Sequence, residues 1–265
     1  MPQVEAWLPA STGGIYLLSW GLRNSGLVLR LPSLSHIIPF LRDTDGVKLH
    51  GTWASPYSTR VKWALKLKGI PFQYIEEDLY NKSALLLRYN PMHKKIPVLI
   101  HGQRPVCEFM VIIEYLDEMW PQYPLLPIDP YERSVARFWV KFIEDKVVWM
   151  VYLTLSEVQA KAMRDSLEML SIREEHGPNK GKKFFGGDNI NIVDIAFGGL
   201  AHWMGVVEEV SGRKMFDAEK FPRLHAWMGN FKSLPLIAEN LPDQGNLCRY
   251  LARQREKLFS SSTHK

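Results

Sequence analysis

Cysteine is scarce in this chain: its 265 residues contain two, Cys107 and Cys248, far apart and without C-x-x-C spacing. That count excludes a disulfide framework and a thiolate metal site, and it favours a reducing, intracellular setting. No apolar run approaches the roughly 20 residues that span a bilayer, so no membrane span is expected. Charge of one sign is equally lacking. Against 33 basic residues stand 28 acidic ones, a net charge of +5, and the basic runs are short, no longer than pairs such as Lys94-Lys95 and Lys182-Lys183. A nucleic-acid binder would gather its basic residues on one face, so no nucleic-acid partner is expected. His93, His202 and His225 show no H-x-x-x-H spacing, and no metal is expected. Repeats are absent too. What remains is the composition of an ordinary globular protein, 46% hydrophobic and 23% charged, long enough for one large or two modest domains.

Residues 1–45 differ from the rest. Positions 1–42 carry one acidic residue (Glu5), three arginines (Arg23, Arg30, Arg42) and five serines. This is a composition that an organelle transit peptide, a disordered extension or an upstream start codon would each permit. The apolar stretch 14–22 is short and lacks a leading basic region, which argues against a secretory signal. Residues 1–45 are therefore read as a leader or disordered extension, and the protein as cytoplasmic unless that segment directs it to an organelle.

From Val47 the pattern becomes regular. Residues 47–51 alternate like a strand. Ser55 offers an N-cap, Pro56 the first helical position, and Tyr57, Val61, Ala64 and Leu65 an apolar stripe that Gly69 and Pro71 terminate. A second strand follows at 72–75, a short helix at 83–88, and strands at 97–100 and 105–107 separated by Gly102. A third helix covers 108–120. The order predicts a mixed sheet, with a parallel crossover first and a tight antiparallel connection last, and helices on its faces. Pro121, Pro124, Pro127 and Pro130 then break every period. Beyond them apolar residues recur at helical spacing over 133–155, 160–175, 191–210, 222–231 and 246–258. The expected organisation is a small α/β domain over 46–122, a linker over 123–130 and an all-helical domain over 131–265.

Several strings carry chemistry. In Asn90-Pro91-Met92-His93-Lys94-Lys95-Ile96-Pro97-Val98-Leu99, a proline stands between a basic pair and a short apolar run. Pro105-Val106-Cys107-Glu108 then sets an acid at a helix start. Together they suggest a backbone cradle for a small peptide-like anion. Ser55 puts a hydroxyl at a helix N-terminus, where free N–H groups amount to about half a positive charge; spacing alone leaves a plain N-cap, worth about 1 kcal/mol, equally open. Asn191-Ile192-Val193-Asp194 reads as a structural capping box. Cys107 reads as an apolar filler in a strand.

These strings, with Lys66-Leu67-Lys68-Gly69, Glu76-Glu77-Asp78-Leu79, Asn81-Lys82-Ser83, Phe185-Gly186-Gly187-Asp188-Asn189 and Leu241-Pro242-Asp243-Gln244, resemble the plant tau class of glutathione transferases over about residues 46–259. The resemblance implies an α+β two-domain fold: a thioredoxin-like N-terminal domain, with a mixed four-stranded sheet, followed by an all-helical C-terminal domain. It implies conjugation of glutathione to hydrophobic electrophiles, with a peroxidase side activity, no cofactor beyond glutathione as co-substrate, and a homodimer. Ser55 would be the catalytic residue, donating to the glutathione thiolate. Lys82 and Lys95 would hold the glycyl carboxylate. Pro97 would be cis and present the Ile96 backbone to the cysteinyl part, and Glu108 would accept from the γ-glutamyl ammonium. Phe109 stands where the tau class typically has serine, which implies weaker glutathione binding and motivates a second reading, a non-catalytic carrier of hydrophobic small molecules. A thiol–disulfide reductase of the same fold would need cysteine at position 55. By position, Tyr57, Val148, Tyr152, Leu155 and Trp203 are expected to line the hydrophobic acceptor site.

Overall fold

Val47–Gly51 forms the first strand, β1, buried at every position but Lys48, and Ser55 then turns the chain into a helix. The computed structural model describes residues 46–145, 151, 154–176 and 181–260; the expectations for residues 1–45 fall outside these. Helix α1 (Pro56–Leu67) is capped by Ser55, whose side chain accepts from the Ser58 N–H, with proline in its first turn. Gly69, at φ 66, ends it. The strand β2 (Phe72–Glu76) runs parallel to β1 with Val47 opposite Phe72. After α2 (Ala84–Tyr89) come β3 (Val98–His101), β4 (Arg104–Cys107) and α3 (Phe109–Met119). The sheet order is β2-β1-β3-β4, with β3 antiparallel to both neighbours and Leu49 facing Leu99. The mixed four-stranded sheet expected from the sequence is present.

All four residues of β3 are buried because both sheet faces are covered. With side chains alternating across a strand, Leu99 joins the main core with Val61, Leu65, Ile112 and Ile113 of α1 and α3. Val98 and Ile100 point the other way and pack with Leu86 of α2.

The proline-rich segment is tied to the ends of α1 and α3 through Lys68. Its ammonium, wholly buried, lies 2.7 Å from the Asp117 carboxylate and donates to the carbonyls of Trp120 (2.7 Å), Gln122 (3.3 Å) and Tyr123 (3.1 Å). Asp117 in turn accepts from the N–H groups of Leu125 and Leu126. A buried cation is tolerable when it is both paired and hydrogen-bonded, as here.

Beyond it the described regular elements are helices: α4 (Pro130–Asp145), α5 (Ser156–Glu175), α6 (Ile192–Ser211), α7 (Pro222–Ser233), α8 (Pro235–Ala238) and α9 (Gln244–Ser260). The single helix expected over 133–155 is described as far as Asp145. Positions 146–150, 152 and 153 fall outside the described residues, and Leu155 is extended (φ −131, ψ 169), serving as the cap of α5. Helix α6 is buried along most of its length. Its start is the expected capping box: Asn191 accepts from Val193 and Asp194, and the Asp194 carboxylate accepts from Asn191, Phe185, Gly186 and the Trp227 indole. Gly198 and Gly199 let α6 approach α1 closely. A Cβ on Gly198 would sit 2.5 Å from the Phe231 ring and 2.7 Å from Trp63, and one on Gly199 would sit 2.8 Å from the Arg60 guanidinium. No described helix is long and apolar enough to cross a membrane.

Candidate active site

A cleft of about 440 Å³ opens where α1, the turn before β3, the start of α3, α4 and α6 converge. Its lining combines the polar residues Asn90, Lys95, Glu108, Arg60 and Glu144 with Tyr57, Phe109, Met110, Ile143 and Leu200. Of the residues singled out from sequence, Tyr57, Lys95, Ile96, Pro97, Glu108 and Phe109 are thus brought together on one cleft, and the Ile96–Pro97 bond is cis.

Ser55 caps α1 in extended conformation (φ −87, ψ 120) and is half-buried; it is not itself among the residues that line the cleft. Two residues on, Tyr57 lines the cleft. The Ser55 Oγ accepts from Ser58 N at 3.3 Å, and no described residue takes its proton, so the O–H is free to donate. No acidic residue lies in the first turn of α1 to cancel its dipole. Glu108 precedes α3 at φ 69 and ψ 117. A non-glycine residue held there costs about 1–3 kcal/mol, a departure that characteristically clusters at ligand sites. Its exposed carboxylate lies 4.0 Å from His93 Nε2 and makes no cap hydrogen bond to the helix. The first N–H groups of α3 therefore remain available to an anion.

Other placements differ from expectation. Lys82 does not line the cleft; its ammonium donates to the Lys94 carbonyl at 2.9 Å. Trp203 is not on the acceptor wall. It is 1% exposed and its indole N–H donates to the carbonyl of Ala54 at 3.0 Å, because α6 packs against α1; the ring thereby braces the segment that carries Ser55. Leu155 is exposed and away from the cleft lining. Val148 and Tyr152 lie outside the described residues. No group of three potential metal ligands occurs among the described residues.

Sequence reasoning missed Arg60. This residue is buried in the cleft lining, 5.4 Å from the Tyr57 ring centre and 5.0 Å from that of Phe109. Burial pulls its guanidinium down to about 10, with Tyr57 and Glu144 opposing, so it remains a cation at neutral pH. Burial likewise raises the Tyr57 phenol. The signal was present: Arg60 follows Tyr57 by three and precedes Ala64 by four, which places a charge on the apolar stripe of α1. Asn90, given no site role of its own in the sequence reading, is buried and lines the cleft as well.

Sheet, helical half and cleft are the parts of a glutathione-handling enzyme, and comparison with known proteins agrees. The model for "Glutathione S-transferase, N-terminal domain" matches residues 54–119, and that for "Glutathione S-transferase, C-terminal domain" matches residues 129–235. Glutathione transferase GST 23 of Zea mays is 46% identical over 220 residues, covering 82% of this chain and 98% of that protein. Glutathione S-transferase U8 of Arabidopsis thaliana is 43% identical, covering 84% and 99%. Among solved structures, the tau-class glutathione S-transferase of mango, Mangifera indica, is similar with a TM-score of 0.71 at 39% identity, covering 77% of this chain and 96% of that one. Rice GST1 in complex with glutathione gives a TM-score of 0.72 at 34% identity, covering 80% and 97%. The chain belongs to the glutathione S-transferase family, in its plant tau class.

Proposed function

We propose that this protein ionises glutathione at the start of α1 and adds its sulfur to hydrophobic electrophiles, with Ser55 as the catalytic hydroxyl. The observation that carries this is the capping geometry: Ser55 Oγ takes a hydrogen bond from Ser58 N and keeps its own proton for an anion, at a helix start free of acidic residues. Bound thiol loses its proton to solvent, and the O–H of Ser55 and the α1 dipole stabilise the thiolate. The sulfur then forms a bond to the acceptor carbon as the leaving group departs, or as an adjacent double bond takes up the charge. Proximity within the cleft supplies the rest of the acceleration.

In the same reading Lys82 and Lys95 hold the glycyl carboxylate, the Ile96 backbone beside Pro97 meets the cysteinyl part, and Glu108 with the start of α3 takes the γ-glutamyl group. No cofactor takes part. Tyr57, Phe109, Met110, Ile143 and Leu200 receive the acceptor. A homodimer belongs to the proposal, since Met92, Tyr131 and Phe138 are exposed apolar side chains in want of cover. Sedimentation at micromolar concentration checks that part.

The test of the enzymatic reading is Ser55→Ala. One charge-assisted hydrogen bond is worth about 1.5–3 kcal/mol, so kcat/KM toward a chloronitroaromatic acceptor should fall about 10- to 100-fold. Calorimetric glutathione affinity should change little. Wild-type turnover in this variant would remove Ser55 from the mechanism.

A further inference from the structure

The glycyl-carboxylate subsite read above depends on lysines from an irregular stretch, and that stretch hangs from a buried acid that the mechanism does not use. Glu77 is 4% exposed and His50 of β1 is 1% exposed. His50 Nδ1 donates to Glu77 Oε1 at 2.7 Å. The same carboxylate accepts from Ser83 Oγ at 2.8 Å and from Ser83 N at 3.1 Å. Ser83 Oγ accepts in turn from Leu86 N as the cap of α2. One acid thus joins the central strand to the start of α2, immediately beside Lys82. His50 also reaches the far end of α2, its ring lying edge-on to Tyr89 at 5.9 Å.

Beyond α2 a second buried polar residue closes the segment. Asn90, 3% exposed, donates from Nδ2 to the Lys95 carbonyl at 3.0 Å and accepts from His93 N at 3.1 Å. Lys82 Nζ bridges the two ends by donating to the Lys94 carbonyl. Charged groups are seldom buried this deeply in a core that packing alone could satisfy. A carboxylate with three donors, aimed at the turn that presents a lysine, is placed for positioning.

We propose that Glu77, oriented by His50, is a positioning residue for glutathione binding: it fixes the 77–83 turn so that Lys82 and Lys95 meet the glycyl carboxylate. This rests on the assignment of those lysines given under the proposed function. Loss of Glu77 should therefore weaken recognition of the glycyl end and leave the thiol chemistry at Ser55 intact.

The experiment compares glutathione with γ-glutamylcysteine, which has the same thiol but lacks the glycyl residue. Glu77→Gln should raise KM for glutathione about ten-fold, equivalent to about 1.4 kcal/mol, with kcat at saturation near wild type. KM for γ-glutamylcysteine should not move. Ser83→Ala, which removes one donor to Glu77 from the half-buried turn, should show the same split to a smaller degree and decides the matter should Glu77→Gln fold poorly. Lys82→Met with Lys95→Met is the reference. If that pair fails to separate the two thiols, the lysine assignment is wrong. If it separates them while Glu77→Gln and Ser83→Ala raise both KM values alike, or neither, the positioning role is overturned.

Discussion

Two glycines of α6 permit a comparison in which one substitution has opposite signs on one helix. Gly→Ala in a helix interior gains about 1 kcal/mol from backbone propensity. At Gly205, exposed on α6, the nearest atom to the new Cβ is Gln244 Nε2 at 3.9 Å, so that gain should appear nearly undiminished. At Gly198 the Cβ would stand 2.5 and 2.7 Å from two Phe231 ring carbons and 2.7 Å from Trp63. Both rings are 0% exposed and lie edge to face at 5.2 Å, so neither can swing aside. Overpacking of this kind costs about 1–3 kcal/mol. Gly198→Ala should therefore be less stable than Gly205→Ala by about 2 kcal/mol, or about 4–8 °C in Tm for a chain of this size. Urea and thermal denaturation of the two variants side by side measure the difference. Equal stabilisation by both would refute the claim that α6 and α1 are in rigid contact at Gly198.

Other expectations follow from single sites. Lys68→Met leaves Asp117 and the carbonyls of Trp120, Gln122 and Tyr123 without their cation, and should lower stability in urea by about 3–5 kcal/mol; a loss below about 1 kcal/mol would show that the proline-rich segment is held by other means. Phe109→Ser introduces a hydroxyl at the start of α3 at the expense of ring contacts to Tyr57 and Arg60. It should lower KM for glutathione about ten-fold, and an unchanged or higher KM would place the value of Phe109 in its packing. Burial would raise the Glu77 carboxyl, but hydrogen bonds from His50 and Ser83 outweigh it and hold the group below its ordinary value. Its stabilisation is then fully present above about pH 4.3, the unfolded carboxylate value, and is lost as pH falls through the lower folded value. The wild-type advantage over Glu77→Gln in urea should hold from neutral pH to about 5 and shrink below about 4. An advantage that does not vary with pH would contradict the pairing.

Much of the architecture was legible because glycine and proline punctuate it. Gly69 and Gly102 take positive φ at the end of α1 and in the β3–β4 turn, conformations that glycine adopts without cost. The capping box at Asn191 could be read because both of its partners lie within four residues. Contacts between distant segments could not be read. Nothing local marks Lys68 as a buried clamp on residues 117–123, nor His50 as the partner of Glu77 across 27 positions. Trp203 illustrates the same limit in the candidate site: its position along α6 suggested an acceptor wall, and only the approach of α6 to α1 turns its ring onto Ala54. Local motifs therefore picked out the part of the cleft lining formed by Lys95, Ile96, Pro97, Glu108 and Phe109, whereas Ile143, Glu144 and Leu200 depend on how the helices converge.

The most direct measurement is a pH titration of the bound tripeptide, following thiolate ultraviolet absorbance in wild type and in Ser55→Ala. With the α1 dipole and one hydroxyl donor together contributing about 2–3 kcal/mol, the bound thiol should ionise about two units below its free value of about 8.5, and Ser55→Ala should return more than half of that shift. A wild-type midpoint equal to that of free glutathione would contradict the account.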